Sequence, residues 1–120
     1  MSIKFDSEKS LFTINTKNSK YDFKILFGKF PIHLYYGKTD GEYADYEKSM
    51  IAFAPYYPEY NIAYTPDLCL REYSGFDSGD FRTSSVKIRN INGDMSTELF
   101  YKSYRIFNKG IISKIRWISR

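Results

Sequence analysis

The sequence predicts an all-β fold, an antiparallel β-sandwich with at most one short helix. Aromatic residues are frequent, since Tyr, Phe and Trp number 12, 10 and 1 among 120 residues, and aromatic side chains favour strands. Apolar and polar residues alternate in residues 11–17 and 21–27, as they do in strands with one buried face. Residues typical of turns, such as Asn18 and Gly28, end these runs. We expect one domain, or part of one, with a thin core, because folding at this length hides only about two-thirds of the unfolded surface.

The first forty residues predict a meander of four strands joined by short turns. In the third strand the alternate residues Asp22 and Lys24 are predicted to face water. Pro31 fits the first position of the fourth strand, because proline lacks the N–H that a strand ladder needs. The four strands are predicted at residues 3–6, 11–17, 21–27 and 31–36. The residues predicted to face the core are Tyr21, Phe23, Ile25, Phe27, Ile32, Leu34 and Tyr36.

Residues 38–67 have a different character. They contain three of the four prolines and six tyrosines, and they show no strand period. Residues 43–50 place several larger side chains on one side of a helix, so a helical turn or two is predicted there. The remainder is predicted to be a long surface excursion. Long ordered loops in compact domains tend to carry function.

Regular structure is predicted again in the second half of the chain. Strands are predicted at residues 68–73, 84–89 and 97–101, with a further strand at 104–107. The Asn92-Gly93 pair predicts a tight turn before the third of these strands. Residues 111–120 alternate apolar and basic side chains without a turn or a cap. This pattern fits either an edge strand or a short amphipathic helix.

The net charge of +4 does not by itself indicate a polyanionic partner. Six basic residues and no acid lie in residues 102–120, which leaves 12 basic and 14 acidic residues in residues 1–101. The body of the domain is therefore close to neutral. No run approaches the roughly 20 apolar residues of a membrane helix, and the charge-rich first twenty residues contain no apolar leader segment. We expect no membrane contact and a cytoplasmic location.

Few residues are candidates for metal or nucleophilic chemistry. Cys69 has only His33 as a chemical companion, and one Cys with one His cannot build a structural zinc site. Cys69 is interpreted as a structural thiol rather than a nucleophile. The sequence also lacks a glycine-rich phosphate-binding motif. We expect neither a metal nor a cofactor.

The glycine-rich stretch at residues 75–82 contains the one pair of acids that suggests a catalytic pair. Asp77 and Asp80 stand three residues apart beside Gly79. Aspartates next to glycine usually bond their own backbone, so a structural turn is favoured over acid–base chemistry. Gly79 is predicted to supply a backbone geometry that other residues adopt only with strain. Arg82 is predicted to pin this turn to a neighbouring strand through an ion pair or a carbonyl.

Several short motifs, in their order and spacing, resemble one enzyme family. They are HLYYGK at residues 33–38, EYSGFDSGDFR at 72–82, NG at 92–93 and LFYKSYRI at 99–106. Together they resemble the start of the β-sandwich that precedes the catalytic barrel in the melibiase-type α-galactosidases of glycoside hydrolase family 36. The resemblance assigns residues 1–110 to this domain, as the first part of a supersandwich. Residues 111–120 are then a divergent basic tail, and its abrupt end at Arg120 fits either a truncated reading frame or a boundary at which a longer chain was cut.

The resemblance implies a function for the intact relative and a smaller role for this chain. Family members hydrolyse terminal α-galactosyl groups with retention of configuration and without a metal. Their nucleophile and acid/base are aspartates of the barrel, so the resemblance implies no catalytic residue in this chain. The implied partners are the catalytic barrel, the remaining sandwich strands and further copies in a homo-oligomer. An α-galactoside is implied only in the full-length context.

The tyrosine-rich excursion supplies the candidates for substrate contact. Tyr56 and Tyr57, with Tyr60, form a platform of the kind that packs on the flat apolar face of a sugar. Asp45 is a match for an acid that some family members place at the substrate pocket. Packing of the tyrosines against missing domains is favoured over sugar contact, because exposed apolar patches generally mark interfaces. The alternative function is a small β-domain that binds single-stranded nucleic acid through the tyrosines and the basic tail.

Overall fold

The structure, a computed structural model, describes residues 1–42, 70–76, 82–107 and 110–119. The strands are β1 (Ser2–Asp6), β2 (Leu11–Asn15), β3 (Ser19–Leu26), β4 (Phe30–Lys38), β5 (Thr97–Phe107) and β6 (Gly110–Ser119). β1 to β4 form one antiparallel sheet in chain order, and β5 pairs with β6 in a second sheet. The described residues contain no helix, and the predicted all-β antiparallel class is confirmed. The helix predicted at residues 43–50 lies outside the described residues.

Local side-chain chemistry closes the first two turns of the meander. Between β1 and β2, Asp6 Oδ1 accepts the N–H groups of Glu8 and Lys9 at 3.0 and 3.2 Å. Between β2 and β3, the Thr16 N–H donates to Ser19 O at 2.8 Å. Short polar side chains commonly bond the backbone in this way at turns. The second turn begins earlier than predicted, so β2 is shorter than the predicted strand.

The turn between β3 and β4 has left-handed backbone geometry at its centre. Phe27 and Gly28 have φ angles of 52° and 67°, and the Lys29 N–H donates to Leu26 O at 3.0 Å. Positive φ at both central residues matches the twist of two antiparallel strands. Gly28 adopts this geometry without the steric cost that a side chain adds.

A cluster of buried apolar residues lies on one face of the four-stranded sheet. Its buried members Leu26, Phe30, Ile32 and Leu34 are at most 6% exposed. Phe100 of β5 packs against them, with its ring centroid 5.4 Å from that of Phe30. Burial of a large apolar side chain stabilises a fold by about 1.5–3 kcal/mol. The contact between Phe30 and Phe100 therefore helps to hold the two sheets together.

A bulge in β4 changes the face that Tyr36 occupies. Two successive residues of β3, Asp22 and Phe23, pair with Tyr35 and His33, so one residue of β4 has no partner in β3. An extra residue reverses the alternation of side chains beyond it. Tyr36 was predicted to face the core, but this is wrong, since the residue is 71% exposed.

Asp22 is buried, although its position in β3 predicts a side chain that faces water. The residue is 2% exposed, and its Oδ2 lies 3.3 Å from Lys20 Nζ. Lys20 Nζ also donates to Gly41 O at 2.5 Å and lies 5.2 Å from the centroid of the Tyr35 ring. The prediction is wrong because Asp22 lies on the same face of β3 as the buried Leu26, whereas alternation within β3 predicts the core on the opposite face. A buried carboxylate of this kind requires a paired charge.

The strand predicted at residues 84–89 does not form. The Ser85 N–H donates to Ser74 O at 3.0 Å, and Ser74 Oγ donates to Thr83 O at 3.0 Å. Serine hydroxyls that bond nearby backbone compete with a regular strand ladder. The alternation of Val86 and Ile88 with charged residues is therefore not sufficient to form a strand here.

The predicted turn at Asn92-Gly93 does form. The Gly93 N–H donates to Asn90 O at 2.9 Å, and the Asn90 N–H donates to Asp94 O at 2.8 Å. Gly93 has a φ of 86°, a conformation that glycine adopts more readily than other residues. The turn leads the chain towards β5.

The C-terminal hairpin is longer than predicted. The two strands predicted at residues 97–101 and 104–107 are continuous in β5. Of the two alternatives for residues 111–120, the strand is correct, since β6 pairs with β5 along its length. The domain boundary placed at residue 110 stays a prediction.

Candidate functional site

The sheet face opposite the core bears a cleft with a volume of about 220 Å³. β2 and β3 supply its floor, β5 supplies one wall, and Glu72 with Tyr73 supplies another. A concave and mostly apolar surface with a few polar groups is the usual form of a small-molecule site. We call this feature the aromatic cleft and define it by Phe12, Tyr21, Phe23, Glu72, Tyr101 and Tyr104.

Cross-strand aromatic pairs build the floor of the aromatic cleft. Phe12 stands opposite Phe5 on β1 and Phe23 on β3. Its ring centroid lies 4.5 Å from that of Phe5 and 4.7 Å from that of Phe23. The Tyr104 ring meets Phe12 edge-on, at 4.9 Å and 86°. Each such pair stabilises by about 0.5–1.5 kcal/mol beyond its area burial, so these contacts fix the floor without a ligand.

A bulge in β5 brings two tyrosines to the same side of the strand. The pairing with β6 uses Tyr101 and then Ser103, and the intervening Lys102 is skipped. Residues three apart in a regular strand lie on opposite faces, but a bulge between them places Tyr101 and Tyr104 on one face. The Tyr101 N–H donates to Lys29 O at 2.7 Å. This bond holds the bulged part of β5 against the turn between β3 and β4.

Glu72 is positioned by a short backbone pairing with the edge of β4. The His33 N–H donates to Leu70 O at 2.7 Å, and the Glu72 N–H donates to Pro31 O at 3.0 Å. The predicted strand at residues 68–73 is wrong for its described part, which forms a single antiparallel bridge before the chain bends. The bridge is sufficient to bring the Glu72 side chain to the rim of the cleft.

The Glu72 carboxylate links a tyrosine and the histidine. The Tyr21 hydroxyl donates to Glu72 Oε1, and His33 Nδ1 lies 3.6 Å from the same oxygen. The ring centroids of Tyr21 and His33 lie 5.2 Å apart. The contact between His33 and Glu72 is an ion pair when the imidazole is protonated. Among the described residues both contacts use Oε1, so Oε2 is the carboxylate oxygen with capacity for a further donor.

Two tyrosines at the cleft keep their protons more firmly than a tyrosine in water does. Burial raises the pKa of the Tyr21 phenol above its usual value, and the hydrogen bond and negative charge of Glu72 raise it further. Burial is also the main cause of the raised pKa of Tyr101, with a smaller effect of Tyr104. Desolvation has this sign because it disfavours the phenolate. The two phenols therefore ionise at a higher pH than a tyrosine in water does.

The sequence-predicted site residues are mostly outside the part of the chain that the structure describes. Arg82 is described and is exposed, and its predicted role in pinning a turn stays a prediction. The predicted roles of the site residues outside the described ranges stay predictions as well. The residues that lie outside are Asp45, Tyr56, Tyr57, Cys69, Asp77, Gly79 and Asp80.

Sequence patterns do not bring together the residues that form the cleft. Glu72 belongs to a family motif, and Tyr101 and Tyr104 belong to predicted strands, but no pattern connects the three. The available signal is Tyr21, which the alternation in β3 places on an aromatic face together with Phe23. Alternation gives the face of a residue on its own strand. It does not show which distant segment covers that face.

Other classes of site find no support in the described ranges. Among residues 1–42, 70–76, 82–107 and 110–119, no group of three His, Cys, Asp or Glu side chains is placed to hold a metal ion. Nor does that part of the chain contain a helix with the length and apolar character needed to cross a bilayer. The predicted basic tail is largely a paired strand, β6. No finding supports the nucleic-acid alternative.

Comparison with known proteins identifies the family. The family described as "Glycosyl hydrolase family 36 N-terminal domain" matches residues 29–114. The bifunctional alpha-galactosidase/sucrose kinase AgaSK of Mediterraneibacter gnavus is 30% identical over 115 residues, which cover 90% of this chain and 12% of the relative. Alpha-galactosidase Mel36A of Lactobacillus acidophilus is 32% identical over 108 residues, which cover 87% of this chain and 15% of the relative.

A solved structure shows the same fold. The crystal structure of the family 36 alpha-galactosidase AgaB from Geobacillus stearothermophilus matches with a TM-score of 0.73 at 22% identity, over 88% of this chain and 14% of that chain. The present chain thus spans a small part of the length of the proteins it resembles. Sequence and fold agree with the order of motifs described above. The chain belongs to glycosyl hydrolase family 36, and the domain that it carries is the N-terminal domain of that family.

Proposed function

We propose that this chain is the non-catalytic N-terminal part of a retaining α-galactosidase and that it serves the packing and assembly of the enzyme. The observation that carries this proposal is the family match over residues 29–114. The matched relatives are named as α-galactosidases, and the chain covers only 12% and 15% of two of them. Hydrolysis of terminal α-galactosyl groups then belongs to the rest of the enzyme.

The far end of β5 supports a packing role. Ile106 and Phe107 are adjacent in the chain and are 41% and 48% exposed. Successive residues of a strand point to opposite faces, so each face of this end of β5 carries one exposed apolar side chain, which we propose that another part of the enzyme covers. The proposed partners are the catalytic barrel and the remaining strands of the sandwich, together with further copies in a homo-oligomer.

We also propose that the tyrosine-rich excursion forms part of the rim of the substrate pocket in the full-length enzyme. The family resemblance supports this role, because some members place an acid and an aromatic residue from this region at the pocket. Asp45, Tyr56 and Tyr57 are the proposed contacts. An α-galactoside meets them only in the full-length enzyme, for which the cytoplasm remains the proposed location.

Exchange of the N-terminal domain tests the proposal. Residues 1–120 replace the corresponding segment of Mel36A, and hydrolysis of p-nitrophenyl α-galactoside is measured for the chimera, the parent and a Mel36A variant without the segment. We expect the chimera to be soluble and to keep most of the parent's activity. We expect the shortened variant to lose activity, because surfaces that the domain covers become exposed.

A matched control carries Phe30→Asp in the same chimera. Phe30 is fully buried, and an unpaired charge at such a position prevents folding of the domain. We expect this chimera to behave like the shortened variant. A folded chimera without activity would contradict the proposal. Full activity of the shortened variant or of the Phe30→Asp chimera would also contradict it, because the domain would then contribute nothing to the enzyme.

A further inference from the structure

We propose that the aromatic cleft binds a single neutral pyranose sugar. This goes beyond the proposed function, because packing and assembly require no ligand on this domain. The groups that carry the inference are the aromatic floor, the tyrosine hydroxyls at the wall and the carboxylate of Glu72. They line one concavity of the described structure.

The size of the aromatic cleft fits one sugar ring. Its volume of about 220 Å³ lies below the roughly 300–1,000 Å³ of pockets for drug-sized ligands. Phe12 is only 1% exposed, so the apolar surface of the floor is that of the partly exposed Phe23, whose ring stacks on Phe12. A pyranose has an apolar face of C–H groups and a periphery of hydroxyls. Its apolar face matches the floor, and its hydroxyls reach the rim.

The polar groups at the rim match hydroxyls in number and type. Each sugar hydroxyl both donates and accepts, so a suitable site offers acceptors and donors together. Glu72 Oε2 is an acceptor, since the contacts of this carboxylate with Tyr21 and His33 both use Oε1. Tyr101 and Tyr104 also line the cleft, and each carries a hydroxyl. A tyrosine hydroxyl both donates and accepts.

A neutral polyol fits the aromatic cleft better than an organic cation or an acyl chain does. The charge of Glu72 is already shared with the Tyr21 hydroxyl and the His33 ring, which weakens its attraction for a cation. A quaternary ammonium or a hydrocarbon makes no hydrogen bond to the tyrosine hydroxyls. Covering those hydroxyls without partners carries the cost of an unmade hydrogen bond. A sugar avoids that cost.

Titration of the ¹⁵N-labelled 120-residue chain with methyl α-galactopyranoside tests the inference by NMR. We expect saturable shifts at the backbone amides of Tyr21, Glu72 and Tyr101, with a dissociation constant on the order of 1 mM, as for a weakly held small ligand. Cyclohexanol provides a ring of similar size with a single hydroxyl. Tetramethylammonium provides a cation. Both are expected to bind about tenfold more weakly or not at all, because they leave the polar groups without partners.

Two variants assign the binding to the aromatic cleft. Glu72→Gln is expected to weaken the sugar about tenfold and Tyr101→Phe about threefold, since a hydrogen bond to a charged group is worth more than a neutral one. The matched controls are Glu8→Gln in the turn before β2 and Tyr36→Phe at an exposed position. Neither control side chain lines the cleft, so both should bind the sugar as the original chain does.

Four results would overturn the inference. The first is the absence of saturable shifts up to roughly 50 mM sugar, a concentration far above the expected dissociation constant. The second is that cyclohexanol or tetramethylammonium binds as tightly as the sugar or more tightly. The third is that the control variants weaken sugar binding as much as the cleft variants do, and the fourth is that both cleft variants bind the sugar as the original chain does. The domain exchange with Mel36A gives its result without reference to this site. A failure of the sugar inference is therefore distinguishable from a failure of the proposed function.

Discussion

Among single residues, Tyr21 connects the four-stranded sheet to the segment that carries Glu72. These residues are far apart in the sequence, and the hydrogen bond between the Tyr21 hydroxyl and Glu72 Oε1 joins their side chains directly. A hydrogen bond to a charged group contributes about 1.5–3 kcal/mol. The Glu72 side chain is 24% exposed, and water reduces this contribution.

Tyr21→Phe removes the hydroxyl and leaves the ring. We expect the free energy of unfolding to fall by about 1–2 kcal/mol, because Glu72 loses a donor at a partly buried site. Urea unfolding monitored by circular dichroism measures the change. Tyr36→Phe is the matched control, since Tyr36 is 71% exposed and should change stability by less than about 0.5 kcal/mol. Equal effects of the two substitutions would show that the contact contributes nothing.

The raised pKa of Tyr21 also predicts a pH dependence. The phenol is protonated in both the folded and the unfolded chain below its usual pKa of about 10. Above this pH the unfolded chain ionises first, because burial and Glu72 hold the folded phenol in its protonated form. Stability associated with this group is therefore present below about pH 10 and is lost as the pH rises.

Comparison of the original chain with Tyr21→Phe isolates this group from other tyrosines. We expect the original chain to lose more stability than the variant between about pH 9.5 and 11.5. The difference in stability between the two proteins should be constant from about pH 7 to 9, where the phenol does not titrate. Parallel stability curves throughout the alkaline range would contradict the raised pKa.

For whole strands, prediction from sequence succeeds where turn chemistry is local and fails where the partner is distant. The four strands of the meander follow from alternation, and Asp6 and Gly28 close turns within a few residues of the chain. The strand predicted at residues 84–89 fails, because Ser74 supplies the bonds of that segment from outside it. The bulge in β4 is also not visible in the sequence. The bulge is defined by the residues of β3 that pair with β4, and the sequence of β4 alone does not give that pairing.

The packing of β5 on the core gives a prediction for one strand. Phe100→Ala should lower the free energy of unfolding by about 2–4 kcal/mol, because Phe100 packs on the buried Phe30 ring and leaves a cavity when truncated. Phe107→Ala on the same strand is the control. Phe107 is 48% exposed, so its truncation should cost less than about 1 kcal/mol. Equal costs would show that β5 does not pack on the core as described.

For the molecule as a whole, the order of short motifs predicts the family, and the composition predicts the all-β class. The sequence predicts each strand that lines the aromatic cleft, but it does not predict the segment at Glu72 or the cleft itself. Its walls come from β5 and from Glu72 with Tyr73, which are far from Tyr21 in the sequence. Only the folded chain brings these groups to one side of the sheet. Family motifs identify the domain but do not describe this surface.

The most direct measurement of the central claim is hydrolysis of a chromogenic α-galactoside by the purified chain, beside the Mel36A chimera. The chain matches the N-terminal domain of the family, and glycoside hydrolysis requires two carboxyl groups facing each other across the bond. The family resemblance implies that both belong to the barrel, outside this chain. We predict no turnover above the uncatalysed rate for the chain alone and clear turnover for the chimera. Turnover by the chain that survives repurification would contradict a non-catalytic role.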